Sequence, residues 1–240
     1  MSLGIPKIIC HIWIGHRPAP TAWMDSWRKM HPDWEYRLYD NEYLFSRRWR
    51  HQALINEFYR RGEYAGVSDL MRYQILYEEG GFMPEADSTC LRPTDELWTD
   101  PSLYTVYENE ERKPGFVSPF LAAAPKHAYL GYINARIARR NRPDTLRKAW
   151  RSVGNKFLKK AMEARAPENV TIFPSHYFIP QHKAFDRYSG AGPVYCEQHW
   201  GSTFSGYAKP DADMNIPAVR AAHLRLLEAN LDPQRKSLAA

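Results

Sequence analysis

The sequence predicts an α/β fold with a mostly parallel central sheet flanked by helices. Three observations carry it. Ile5 to Gly15 is a β-branched, apolar run ending at glycine, as suits a strand buried on both faces. Strand and helix patterns alternate up to Pro93, which points to βαβ units. Between them, Ser68 to Asp87 reads as a helix, a glycine stop and an acid pair.

The opening strand would place Trp13, Ile14 and Gly15 at its carboxyl end, where ligands of open α/β sheets bind. His11, inside an apolar run, reads as a core histidine. Pro20-Thr21 opens a helix through Met30, and His31-Pro32-Asp33 ends it. Trp34 to Asp40 alternates as a second strand. Leu44 to Arg60 reads as one basic amphipathic helix with Leu54, Ile55 and Phe58 at helical spacing. A solvated face is the plain reading of its arginines, and an interfacial or acceptor-facing role is the sharper one.

In the central stretch Ser68 is the expected N-cap, and Asp69 suits the positive end of a helix. Gly80-Gly81 stops the helix, because glycine takes the left-handed cap conformation without a Cβ penalty. Glu85 and Asp87 flank Ala86, and two residues apart in an extended segment share a face. Such a pair offers oxygen ligands to a hard divalent cation. An acid pair around a small residue is also common on surfaces, so the composite carries the signal.

Cys90 to Pro93 reads as a strand leaving the acid pair, residues 103–107 as a strand, and Gly115 to Ala124 as another. Ala128 to Arg140 and Thr145 to Ala164 read as helices rich in basic residues, with solvated faces favoured. Asn169 to Phe173 is β-rich. A late cluster, Tyr195 to Phe204, holds His199, Trp200 and Thr203. Pro217 to Asn230 reads as a helix, and the last ten residues are expected to fray.

Composition bounds the function without choosing it. At 240 residues the chain is long enough to bury a core without disulfides. Its 33 Lys+Arg against 27 Asp+Glu give a net charge of +6, which favours anionic ligands. Aromatics are plentiful, with 8 Trp and 15 Tyr; they stack on sugars and bases, but more often fill cores. Cys10, Cys90 and Cys196 have no metal spacing. No leader pattern and no apolar run of roughly 20 residues is present. A reduced, cytoplasmic setting is therefore expected. No nucleic-acid motif, internal repeat or low-complexity tract occurs.

Ser68-Asp69-Leu70, Arg72-Tyr73, Leu76-Tyr77 and Gly80-Gly81, followed by a two-acid strand end, resemble the DXD-motif sugar-binding glycosyltransferases. Ser26 to Leu38 resembles the same family, as do Pro174-Ser175-His176-Tyr177-Phe178 and His199-Trp200 with Thr203. The likeness is close over residues 5–93, looser over 168–205 and faint between. The chain departs from the family wording at Cys10 and His11, at Met83-Pro84-Glu85 before Asp87, at Asn155 and at Phe204.

The resemblance implies a GT-A-type, Rossmann-like nucleotide-diphospho-sugar transferase fold in one domain over residues 1–240. Residues 1–100 would be the nucleotide-sugar half, 101–210 the acceptor-side and site-closing half, and 211–240 a terminal helix and tail. It implies a metal-dependent, retaining hexosyltransferase using a UDP- or GDP-sugar. The acceptor would be a glycan or lipid-linked, in bacterial-type surface polysaccharide synthesis, with peripheral contact at the inner face of a membrane and no nucleic acid. Asp69, Arg72, Glu85 and Asp87 would be the catalytic set. Asp87, Glu85 and His199 would hold Mn²⁺ or Mg²⁺. Trp13, Ile14, Gly15, Tyr73, Trp200 and Thr203 would bind the nucleotide sugar. A catalytically weakened sugar-nucleotide or glycan binder of the same fold is the alternative, and a binder of anionic surfaces is a third reading.

Overall fold

A computed structural model describes residues 4–100, 102–119, 121–184 and 186–231. In chain order the elements are β1 (Ile8–Ile12), α1 (Thr21–Met30), β2 (Glu35–Tyr39), α2 (Asn41–Ser46), α3 (Gln52–Arg60), α4 (Tyr64–Glu78), β3 (Gly81–Phe82) and β4 (Ser88–Cys90). There follow β5 (Leu103–Val106), β6 (Ala122–Ala123), α5 (Ala128–Arg140), α6 (Ala149–Ser152), α7 (Asn155–Ala164), β7 (Val170–Phe173), α8 (Ser175–Phe178), β8 (Cys196–Gln198) and α9 (Ile216–Ala229). The central sheet runs β2-β1-β3-β6-β5-β7, and β4 with β8 makes a second, two-stranded sheet. The β1–β2, β1–β3 and β5–β7 pairs are parallel, and only β6 runs against its neighbours. No described helix is long and apolar enough to cross a membrane.

α4 is the helix around which the rest packs. Leu70, Met71, Tyr73, Ile75 and Leu76 are all buried, so it is covered on nearly every side, as a core helix must be. Its start differs from expectation. Ser68 lies inside the helix, which begins four residues earlier after Glu63. The reason is tertiary: Gly66 packs directly on the Phe58 ring, where an added Cβ would come within 2.8 Å. That close approach of α3 carries the helix back through Gly66 and overrides the local cap signal. The stop is as expected. Gly80 has φ +73 and Gly81 φ +102, which an L side chain rarely adopts, and Gly81 then enters the sheet beside Ile8.

Three expected elements are broken. Leu44 to Arg60 is two helices, because the buried Trp49 turns inward and donates from Nε1 to Leu44 O at 2.8 Å. Its arginines are largely paired: Arg47 with Glu78 at 2.8 Å, Arg61 with Glu57 at 2.7 Å, and Arg60 with Glu57 and Glu228. Thr145 to Ala164 breaks at Val153-Gly154, where Val153 O accepts from the Tyr73 hydroxyl at 2.7 Å. Gly115 to Ala124 keeps only β6 and an isolated bridge from Val117 to Tyr107; Phe120, within that stretch, lies outside the described residues, as does the tail from 232 on. His11 is a core histidine. Burial lowers its pKa to about 3, with Arg72 adding to the effect.

Candidate active site

A cavity of about 710 Å³ opens at the carboxyl ends of β1 and β5. That volume lies in the ordinary range for small-molecule sites, roughly 300–1,000 Å³. Ile12, Trp13 and Ile14 bring the end of β1 to it, and Val106 the end of β5. The position follows from topology, since strand ends leave their loops free to form a crevice there.

Asp69, Arg72, Glu85 and Asp87 all line this cavity. The first two lie one helical turn apart on α4 and so share a face. Arg72 is buried and forked: Nη1 donates to Met83 O at 2.8 Å and Nη2 to Glu85 Oε1 at 2.9 Å. The guanidinium thus ties the helix to the segment carrying the acids. Glu85 and Asp87 do not lie in a regular strand. They flank a turn in which Ser88 N donates to Glu85 O at 3.2 Å.

Asp87 is buried and well supplied with donors. Gln198 Nε2 donates to Oδ1 at 2.9 Å; Gly201 N and the Tyr207 hydroxyl donate to Oδ2 at 2.8 and 3.0 Å. Burial raises the pKa of Glu85, with Arg72 pulling it back and Asp87 pushing it further up. Burial raises Asp69 to about 7, and Arg72 opposes this while Glu85 adds to it. No described group donates a hydrogen bond to the Asp69 carboxylate, whose Oδ2 lies beside Gly154. A carboxylate so placed is a ready acceptor for ligand hydroxyls.

Among the other expected residues, Trp13, Ile14 and Trp200 line the cavity. Trp13 donates from Nε1 to Arg17 O at 2.8 Å and meets the Tyr207 ring edge-on at 4.9 Å between centroids. Gly15, expected beside them, is not in the lining: it is buried, with its backbone held by the Asn41 side chain at 2.9 and 2.7 Å. Three further expectations are corrected. His199 does not join the acids: its ring pairs with Thr89 at 2.7 Å and stacks on Trp23 at 4.4 Å. Alternation along β8 explains this, because Cys196 and Gln198 face the cavity and Glu197 turns outward to Arg187. Tyr73 is fully buried, its hydroxyl spent on Val153. Thr203 stays outside the lining, in a turn closed by its own N–H to Trp200 O at 2.8 Å.

Gln198, Tyr207 and Glu108 line the cavity without having been singled out from the sequence. Gln198 was within reach of an alternation argument. Tyr207 and Glu108 carry no local signal. Glu108 is held by Lys113 at 2.7 Å and by Asn155. Asn155, the departure from the family's usual residue, thus opens α7 and supplies a donor to a cavity acid.

Residues 21–104, from the start of α1 into β5, match the glycosyltransferase sugar-binding region containing DXD motif. Over these residues the chain is similar to the DXD-motif glycosyltransferases. The matched region includes Asp69, Arg72, Glu85 and Asp87, while the segment that closes on Asp87 lies beyond it. Inositol phosphoceramide mannosyltransferase 1 of Schizosaccharomyces pombe is 29% identical over 133 residues, 52% of this chain and 40% of that protein. The chain thus matches less than half the length of that relative. The PaToxG glycosyltransferase has a similar fold: TM-score 0.56 at 14% identity, over 68% of this chain and 70% of that one. A glycosyltransferase involved in glycosylating the major capsid of PBCV-1 aligns over 92% of this chain at 13% identity, with a TM-score of only 0.37.

DXD-motif glycosyltransferases typically use a divalent metal. No three His, Cys, Asp or Glu side chains among the described residues form a cage that could hold one. The acids do fit a cation held largely by a ligand's phosphates, as Mg²⁺ commonly is with one or two carboxylates. Glu85 Oε2 accepts no hydrogen bond from a described residue, and Asp87 Oδ1 accepts only one. Both oxygens retain lone pairs for a hard ion.

Proposed function

We propose that the chain is a metal-dependent glycosyltransferase, moving a hexose from a UDP- or GDP-sugar to a glycan or lipid-linked acceptor. One observation carries the reading: Asp69, Arg72, Glu85 and Asp87, all within the family-matched residues, line a single cavity at the strand ends. Asp87 and Glu85 would hold Mn²⁺ or Mg²⁺, which neutralises charge on a departing diphosphate. Asp69 would accept hydrogen bonds from donor hydroxyls. Arg72 would orient Glu85 and present positive charge to the diphosphate side. Trp13 and Trp200 would offer aromatic faces to the base and sugar.

The reaction breaks the bond from the anomeric carbon to the diphosphate oxygen and forms one to the acceptor oxygen. In a retaining transfer both can occur on one face, the acceptor's proton passing to the departing phosphate oxygen. Double displacement is the other route. The test is sugar-nucleotide hydrolysis and transfer across a UDP- and GDP-sugar panel, with and without Mn²⁺. Asp87→Ala should abolish metal-stimulated turnover, and undiminished turnover in that variant would sink the assignment.

The second reading, a binder with weakened chemistry, is favoured by the three donors already engaged with Asp87. Tight nucleotide binding without transfer to any acceptor would support it.

A further inference from the structure

α5 and α7 each present two cations one turn apart, Arg136 with Arg140 and Lys156 with Lys160. Residues four apart share a helix face, and like charges there repel. The two faces meet across a hollow of about 430 Å³, joined by Arg147 from the connecting turn and Arg151 from α6. The remaining lining is Asn141, Thr145, Ser152 and Phe157, with no acid.

Several arginines elsewhere in the chain do carry a counter-charge. Arginines on α2 and α3 and near β2 pair with Glu35, Glu57, Glu78, Glu79 or Glu228. Of the six cations at the hollow, none forms an ion pair with a carboxylate among the described residues. Arg136 Nε is in addition buried without a hydrogen-bond partner. Six cations drawn from four segments into one hollow repel one another, and a buried donor left without a partner is destabilising. A multiply charged anion would relieve both.

We propose that this hollow is a second binding site, taking a ligand that bears phosphate or diphosphate groups. Guanidinium forks match phosphate oxygens in pairs, and lysines add point charge. The hollow lies behind the wall of the first cavity. α6 separates them: Arg151 and Ser152 line the hollow, while Ala149 and Trp150 line the sugar-nucleotide cavity. Arg151 and Lys156 lie 4.9 and 5.5 Å from the Trp150 ring. The proposal does not depend on sugar transfer.

The test is calorimetric titration of the whole protein with inorganic pyrophosphate in EDTA, which suppresses metal-dependent binding at the acids. Arg147 and Arg151 are exposed, so the double variant Arg147→Gln/Arg151→Gln should fold, as circular dichroism would verify. It should bind pyrophosphate about tenfold more weakly or worse, the scale of a lost charge-assisted hydrogen bond. Asp87→Asn should leave binding intact. No binding by the wild type overturns the proposal. So does equal binding by the double variant, or an equal loss on removing the same charge elsewhere, in Lys29→Gln/Arg225→Gln. Flotation with phosphatidylcholine vesicles, with and without phosphatidic acid, identifies the source. Vesicle capture that the double variant loses points to a lipid headgroup, and pyrophosphate binding without capture points to a soluble phosphate ligand.

Discussion

The Tyr207 hydroxyl donates to Asp87 Oδ2 at 3.0 Å across 120 residues of sequence. With Gly201 N and Gln198 it fastens the late segment over the acid turn. Closeness to Asp87 also raises the Tyr207 pKa, after burial. Tyr207→Phe should cost about 1 kcal/mol of stability, the usual value of one such bond, read by urea unfolding. It should also make residues 200–207 more sensitive to limited proteolysis. Unchanged proteolysis would show that the bond does not hold the segment.

Arg72→Lys keeps the charge and loses the fork. A lysine cannot bond Met83 O and Glu85 Oε1 as a planar guanidinium does. Sugar-nucleotide turnover should fall at least about tenfold, by analogy with the hundredfold cost of a misplaced catalytic group. Retention of full turnover would mean that the position of Glu85 does not depend on the fork.

Asp69 gives a pH signature. Its carboxyl is raised from 3.8 to about 7 by burial, so the folded state holds the proton more tightly than the unfolded one. Its contribution to stability is full below about pH 4 and is lost as pH rises through about 7. Comparing melting temperatures of wild type and Asp69→Asn from pH 4 to 8 isolates the effect. The wild type should lose stability relative to the variant across that window, and parallel curves would refute the raised carboxyl.

Gly154→Ala probes the wall of the cavity. An added Cβ would come within 2.9 Å of Trp150 Cα and 3.1 Å of Asp69 Oδ2. The first neighbour is backbone and cannot swing aside. Nucleotide-sugar affinity should fall, read by calorimetry, with secondary structure retained.

The thiols should be inert in the native protein. Cys10, Cys90 and Cys196 are free and buried. Burial pushes Cys10 and Cys90 up to about 12 and raises Cys196 well above its ordinary value. Thiolate is the reactive form, so Ellman's reagent should label none rapidly without denaturant. Fast labelling of one thiol would show local opening at its strand.

Local signals located much of the fold. α1 and α5 begin and end where helix formers and breakers place them, at Thr21–Met30 and Ala128–Arg140. β2 and β7 fall inside their β-rich runs. The misplacements come from packing that spacing does not reveal. Val153 is fixed by Tyr73, far along the chain, while Trp49 and Gly66 are fixed by the nearby Leu44 carbonyl and Phe58 ring. The same holds in the cavity. Asp69, Arg72, Glu85 and Asp87 are close in sequence and were found together. Tyr207 and Glu108 reach the cavity only through the return of distant segments.

By itself the sequence determined the order of strands and helices, the glycine stop after α4 and the cluster of acids with Arg72, because periodicity, capping and spacing act over a few residues. Only the tertiary structure decided which way the late segment faces: Gln198 and Tyr207 onto Asp87, His199 onto Trp23 and Thr89. It also decided which cations stay without an acid, since that depends on which helix faces meet. Those outcomes rest on long-range packing and on the sheet's alternation, which a spacing rule cannot resolve before the partner strand is known.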